Sequence, residues 1–277
     1  MNMKEKKFNE IPLTRFACTI ADVSGAEKPE KADGVRVNEI LELVKNKTGK
    51  DTVDKLVIFN PDAIGCEFYN LYRKKIFAPL DCLTDLRIGF LTAVPPKTPV
   101  CFATMFTGAD PSVHGINKYE KPVLKIDTLF DAWARAGKKV ALVSKVGQSI
   151  PRIFAERNID YFLTENDRQS VDKAIELIKS NEYDVIEVYN QEYDDMLHVT
   201  YPRSYFCRRA AKRYVASYEK INDAVKKYYA GKTALVTFSP DHGAHRIGGF
   251  LLGTHGKEIP SDMNIYHFFT VYGDKNE

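Results

Sequence analysis

Short apolar runs of strand length alternate with segments of helical period along most of the chain. This alternation predicts an α/β fold with a mostly parallel, doubly wound sheet and helices on both faces. In sheets of this kind, ligands bind beyond the carboxyl ends of the strands. The predicted strands cover residues 56–59, 88–91, 139–143, 161–164, 185–189, 234–238 and 268–272, and the predicted helices cover residues 65–75, 99–107, 127–136, 169–180 and 205–229.

The first 50 of the 277 residues fit this pattern least well. We predict that residues 1–50 form a peripheral N-terminal segment packed on the core, with one helix over residues 35–45. Residues 51–277 then hold the sheet, and the chain is one structural domain overall. A core of this size needs no disulfide bonds.

Composition and charge exclude several classes of protein. The 40 basic and 37 acidic residues are well mixed, which makes no electrostatic case for nucleic acid. The densest basic run, residues 208–213, is interpreted as a solvated helix face. No apolar run approaches the roughly 18 to 20 residues of a membrane span, and we identify no signal peptide. Five cysteines without a CxxC pair are typical of reduced thiols, so we expect a cytoplasmic protein.

Carboxylates and imidazoles follow three of the predicted strands, at the edge where such a sheet binds its ligands. Taken singly, each also fits an ordinary cap, turn or surface pair. Together they form the mixture of ligands that zinc accepts. Asp194 and His198 are four residues apart, which on a helix places them on one face. The candidate metal ligands are Asp62, Asp194, His198, Asp241, His242 and His255.

Thr98 lies between Lys97 and Pro99, at the start of a predicted helix. A threonine before a proline at the first helical position is a good N-cap. The same position faces free backbone N–H groups and the positive end of the helix dipole, which suit a phosphate. A nearby metal ion would lower the pKa of the hydroxyl and make Thr98 a nucleophile. Capping and nucleophilic attack do not exclude each other.

The order and internal spacing of these segments resemble the alkaline phosphatase superfamily, and within it the nucleotide pyrophosphatase/phosphodiesterase branch. The resemblance runs from about residue 56 to the C-terminus, and it implies that residues 51–277 form an alkaline-phosphatase-like catalytic domain. The matching motifs are K-T at residues 97–98, T-G at 107–108, P-x-x-H-G-I at 111–116, D-x-x-x-H at 194–198, D-H-G at 241–243 and G-x-H-G at 253–256.

The resemblance implies two divalent cations. Zinc is favoured by the three imidazoles, and manganese or iron fits the same ligands. Thr98 would attack phosphorus in line, and water would then cleave a phospho-threonine intermediate. One implied site comprises Asp194, His198 and His255, and the other comprises Asp62, Asp241, His242 and the Thr98 oxygen.

Two departures from the branch affect the substrate site. The branch commonly has an asparagine five residues past the histidine of H-G-I, where this chain has Tyr119, while Asn117 lies two residues earlier. We predict substrate contacts from Asn117, Tyr119 and Lys97, with core packing as the alternative for Tyr119. The short stretch between His242 and His255 predicts little or no cap. The site is then open or is completed by a neighbouring subunit of a homo-oligomer.

The sequence therefore predicts a metal-dependent hydrolase of small phosphate esters, of the phosphodiesterase or nucleotide pyrophosphatase type. The nearest alternative is a phosphomonoesterase or phosphonate hydrolase with the same metal ions. Monoesters carry an extra charge, and no arginine in the matched motifs clearly meets it, which favours diesters. From another class, a catalytically inactive binding protein on the same fold is the alternative, although the full set of candidate ligands argues against it.

Overall fold

The chain folds around an eight-stranded sheet in this computed structural model, which describes residues 7–248 and 251–273. The strands are β1 (Ile11–Pro12), β2 (Lys55–Pro61), β3 (Leu86–Leu91), β4 (Val140–Lys145), β5 (Asp160–Thr164), β6 (Val185–Asn190), β7 (Ala234–Phe238), β8 (His245–Arg246), β9 (Gly253–Thr254) and β10 (Asn264–Tyr272). The order across the main sheet is β1-β3-β10-β7-β2-β6-β4-β5, and β8 and β9 form a separate antiparallel pair.

Twelve α-helices lie in the part of the chain that the structure describes. They are α1 (Arg15–Val23), α2 (Asn38–Thr48), α3 (Cys66–Tyr72), α4 (Ala78–Leu83), α5 (Thr98–Thr107), α6 (Pro111–His114), α7 (Leu129–Arg135), α8 (Ser149–Ile153), α9 (Asp167–Ser180), α10 (Glu192–Val199), α11 (Tyr205–Tyr228) and α12 (Pro260–Met263). A π-helical turn, Arg73–Phe77, joins α3 to α4, so the helix predicted over residues 65–75 extends further than expected.

The predicted α/β architecture is confirmed. Strands β2, β4, β5, β6 and β7 pair in parallel. Two apolar clusters cover opposite faces of the sheet: one includes residues of α1, α2, α5 and α7, and the other includes residues of α3, α9, α10 and α11. The last strand differs from the pattern, because β10 runs antiparallel to both β3 and β7.

The N-terminal segment contributes more to the core than the sequence pattern indicated. Strand β1 pairs with the edge of the sheet. Helix α1 was not predicted, and its apolar residues, including Phe16 and Ile20, are fully buried in the main cluster. Helix α2 covers most of the helix predicted over residues 35–45. The division of the chain at residue 50 stays a prediction.

Helix α5 is the element that places the predicted nucleophile. All ten of its residues are buried, as expected for a helix that is apolar all round. Its N-terminus follows β3 and therefore lies at the carboxyl edge of the parallel strands. Among the described helices, none is long and apolar enough to cross a membrane.

Candidate metal centre

Three buried carboxylates meet beyond the carboxyl ends of neighbouring strands. Asp62 directly follows β2, Asp241 follows β7, and Asp194 lies on α10 just after β6. Each has one oxygen without a hydrogen-bond partner among the described residues: Asp62 Oδ1, Asp194 Oδ1 and Asp241 Oδ2. Buried, unpaired carboxylate oxygens are costly unless a positive charge compensates them. This arrangement therefore fits a cation.

His242 adds a fourth acceptor atom to this group. Its Nδ1 lies 2.9 Å from the carbonyl oxygen of Gly243, which can only accept, so Nδ1 carries the hydrogen and Nε2 carries the lone pair. That Nε2 lies 3.4 Å from Asp62 Oδ1 and 3.3 Å from Asp241 Oδ2. Three acceptor atoms thus converge, and a metal cation satisfies all of them.

A second group of candidate ligands forms around Asp194 Oδ1, the third of the unpaired carboxylate oxygens. It lies 3.5 Å from His198 Nε2 and 3.6 Å from His255 Nε2. His255 Nδ1 lies 2.9 Å from the carbonyl oxygen of Pro96 and donates to it, so the Nε2 of His255 also presents its lone pair to the site. The ligand atoms of this group all lie within 4.8 Å of one another.

The two groups share Asp194. Its carboxylate also lies within 4.8 Å of the ligand atoms of Asp62 and His242. The resemblance implied that Asp194 serves one cation alone, whereas the structure places it beside both sets. Asp241 keeps its predicted place next to His242. The structure brings all six predicted side-chain ligands together, and their roles as ligands stay predictions.

The electrostatics of the site favour an added positive charge and neutral imidazoles at His242 and His255, whereas the hydrogen bond with Asp194 raises the pKa of His198. Burial, followed by the charges of Asp241 and Asp194, raises the pKa of Asp62 well above its ordinary value. Burial raises the pKa of Asp241 to about 7. Burial also lowers the pKa of His255 to about 4 and lowers that of His242. Neutral imidazole is the form that binds a metal ion.

Thr98 is held against this centre. Its hydroxyl oxygen lies 3.2 Å from His242 Nε2 and 3.5 Å from Asp62 Oδ2. Thr98 is the first residue of α5, and Lys97 occupies the N-cap position without a side-chain cap hydrogen bond. The predicted capping by Thr98 is therefore wrong, because its side chain turns to the carboxylates and not to the helix N–H groups.

The predicted substrate residues separate into two groups. Lys97 and Tyr119 line a cleft of about 630 Å³ that also exposes Asp194, His198 and His255. Tyr119 is 54% exposed, so the alternative of core packing is wrong. Asn117 is exposed, and it does not line the described part of this cleft.

Further residues of the site were missed in the sequence. Gln191, Asp195 and Met196 line the same cleft, and they follow β6 as Asp194 and His198 do. Tyr189 is fully buried beneath the cleft, where its hydroxyl donates a short hydrogen bond to Asp62. A tyrosine at the end of an apolar run is indistinguishable from an ordinary aromatic strand residue, so no pattern pointed to it.

Gly243 fixes the loop that carries Asp241 and His242. A Cβ atom there would lie 2.0 Å from Ser261 O and 2.9 Å from Gly65 Cα, both backbone atoms that cannot move aside freely. Gly243→Ala should therefore displace His242, and a shift of about 1 Å at a catalytic site can cost roughly a hundredfold in rate. For the phosphate-ester hydrolysis that the sequence predicts, we expect a loss of that order in kcat/KM, measured at saturating metal.

Gly248 provides the control, in the turn that follows β8. A Cβ atom at Gly248 would meet no atom of the described residues within 4 Å. Gly248→Ala should leave both the activity and the unfolding temperature close to those of the wild type. An equal loss of kcat/KM in the two variants would show that the close approach of the backbone atoms to Gly243 is not the cause.

Comparison with known proteins finds no matching family model and no matching curated protein. Solved structures do match. Murine ectonucleotide pyrophosphatase/phosphodiesterase 5 aligns with a TM-score of 0.54 and 16% identity, over 70% of this chain and 58% of that one. Phosphonoacetate hydrolase from Sinorhizobium meliloti, solved with phosphonoformate, aligns with a TM-score of 0.50 and 14% identity, over 69% and 57%.

The chain has the alkaline-phosphatase-like fold. The C-terminal periplasmic domain of EptC from Escherichia coli shares it, with a TM-score of 0.52 and 14% identity over 80% of this chain and 73% of that one. The chain spans less than two thirds of the length of the first two structures. At these identities the alkaline-phosphatase-like fold is what the likeness establishes, and it agrees with the fold that the motifs implied.

Proposed function

We propose that this chain is a metal-dependent phosphodiesterase that uses Thr98 as its nucleophile. The observation that carries the proposal is the position of the Thr98 hydroxyl, 3.2 Å from His242 Nε2 and 3.5 Å from Asp62 Oδ2. A hydroxyl at a helix N-terminus, beside buried carboxylates that each have an unpaired oxygen among the described residues, suits attack on phosphorus. The similar structures named as a phosphodiesterase and a phosphonate hydrolase support chemistry at phosphorus.

Two cations would be held by the two groups of ligands. Asp194, His198 and His255 would bind one, and Asp62, Asp241, His242 and the Thr98 oxygen would bind the other. Three imidazoles among these ligands favour zinc, and manganese or iron fits the same set. When bound, the cations stabilise the negative charge that develops on the entering and leaving oxygens.

The chain's own residues account for the rest of the reaction. Thr98 Oγ1 attacks phosphorus in line with the leaving oxygen, so that one P–O bond forms as the ester bond breaks. Asp62 Oδ2, the carboxylate oxygen nearest to the hydroxyl, is placed to take its proton. The departing alkoxide takes up a proton from solvent. Water then attacks phosphorus and breaks its bond to Thr98 Oγ1, which recovers its proton from Asp62, and the product released is the phosphate monoester that keeps the second ester group.

The substrate class follows from the lining of the cleft. Among its described lining residues there is one cation, Lys97, and no arginine. A phosphate monoester carries an extra negative charge, and a bidentate arginine is the usual partner for it. This favours a small diester, whereas a phosphomonoesterase or phosphonate hydrolase is the second candidate. The intact ligand set argues against a binding protein without catalysis.

Purified protein should hydrolyse bis(p-nitrophenyl) phosphate faster than p-nitrophenyl phosphate. Chelation should abolish both activities, and added zinc should restore them, because the reaction depends on cations bound by the unpaired carboxylate oxygens and the imidazoles. A preference for the monoester would keep the metal centre and favour the phosphatase. No turnover of either ester, with metal bound, would contradict the proposed activity.

A further inference from the structure

Tyr189 lies directly beneath the metal centre and has no part in the reaction described above. It is the last apolar residue of β6, is fully buried, and packs edge-on against Phe102 with ring centroids 5.2 Å apart. Its hydroxyl donates a short hydrogen bond to Asp62 Oδ2. Gln191 Oε1, at 3.1 Å, is the more distant acceptor. A phenol has one hydrogen to donate, and the geometry gives it to Asp62.

This hydrogen bond decides which way the carboxylate of Asp62 turns. Oδ2 accepts from Tyr189 and faces the Thr98 hydroxyl at 3.5 Å. Oδ1 is left without a partner among the described residues and lies 3.4 Å from His242 Nε2. A carboxylate rotates freely about its terminal bond unless a partner holds it. Tyr189 is that partner, and Phe102 keeps its ring in place.

We propose that Tyr189 is a positioning residue, which holds Asp62 so that one oxygen faces the cation and the other faces Thr98. The inference rests on the proposed function, since it assigns Asp62 to that reaction. Hydrogen bonds to a metal ligand from its outer neighbours fix its orientation, and losing one typically costs about 10- to 100-fold in metal affinity or activity. A hydroxyl with a purely structural role would change stability alone.

Tyr189→Phe tests the inference, because it removes the hydroxyl and keeps the buried ring. We expect metal affinity, measured by competition with a chelating dye, to fall by about 10- to 100-fold. At saturating metal, kcat for the diester should fall within the same range. KM should stay unchanged, because the fully buried Tyr189 is out of reach of the substrate.

Tyr218→Phe is the matched control. Tyr218 is as buried as Tyr189, but it belongs to the other apolar cluster, and its hydroxyl contacts Val236 O and Thr270 Oγ1 and none of the candidate ligands among the described residues. It should keep the metal affinity and the kcat of the wild type. Wild-type affinity and kcat in Tyr189→Phe, or equal losses of affinity in both variants, would overturn the inference. If the wild type cleaves no ester, the proposed function fails, while the metal competition still tests the role of Tyr189.

Discussion

Replacing Thr98 with alanine is expected to lower kcat for a phosphate diester by at least about a thousandfold, a typical scale for the loss of a nucleophile. The hydroxyl is the group at the centre that can form a covalent bond to phosphorus, and it is buried beside Asp62 and His242. Steady-state kinetics at saturating metal measures the loss. Acid quenching of the wild type during turnover, followed by peptide mass spectrometry, should find on Thr98 the phosphoryl group that still carries the second ester group of the diester.

Thr98→Ser is the control for this variant, because it keeps the hydroxyl and loses a methyl group. It should retain measurable turnover and should still accumulate the phosphorylated enzyme. Both variants should unfold close to the wild-type temperature, since Thr98 makes no cap hydrogen bond to α5. Substantial turnover by Thr98→Ala would show that water attacks the ester directly, and the covalent mechanism would be wrong.

The fold was largely predictable because its signal is local. A parallel strand buried on both faces is a nearly continuous apolar run. β2 opens with one after Lys55, and the runs in β6 and β7 are each interrupted by one buried polar residue, Glu187 and Thr237. The apolar pattern of a buried strand does not indicate whether the strand runs parallel or antiparallel to its neighbours. Residues 268–272 are as apolar as the parallel strands, so nothing in them indicated that β10 runs antiparallel. The antiparallel direction agrees with the connection between β7 and β10, whose described part contains only one short helix, α12, in place of the long helix that usually links parallel strands.

The candidate site was predictable where residues that can bind a metal ion directly follow a predicted strand. Carboxylates and imidazoles directly after apolar runs reach the same edge of the sheet, as Asp62 and His242 do. The sharing of Asp194 between two groups depends on how α10 is angled at that edge, which no spacing within the chain encodes. Tyr189 was missed for a related reason. Its partner is 127 residues away in sequence, and the contact exists only because β2 and β6 are adjacent.

Divalent cation is expected to raise the unfolding temperature of the chelated protein substantially. The folded chain gathers three carboxylates with unpaired buried oxygens, and the unfolded chain does not. A ligand that binds the folded state alone stabilises it by about 4 kcal/mol at a thousand times its Kd. For a large domain this corresponds to a rise of roughly 8 to 16 °C. Thermal unfolding in chelator and in zinc measures it, and an unchanged temperature in metal excess would contradict the metal centre.

Asp241→Asn should separate two contributions to the stability of the folded chain, that of the bound cation and that of the buried carboxylate charge. The amide can keep the 3.2 Å hydrogen bond from Ala63 N, but it carries no charge. Burial raises the pKa of Asp241 to about 7, so the folded chelated protein holds a proton that the unfolded chain releases near pH 4. This carboxyl therefore destabilises the chelated protein progressively as the pH rises from about 4 to 7.

At pH 8 in chelator, Asp241→Asn should thus unfold at a higher temperature than the wild type. In zinc the order should reverse, because a neutral amide is a poorer ligand than a carboxylate. An ordinary structural aspartate has no reason to change the sign of its effect with the metal. A variant that is less stable than the wild type by the same margin in both conditions would remove Asp241 from the centre. A reversal of sign can arise only if the carboxylate whose buried charge destabilises the chelated protein is the one that binds the cation.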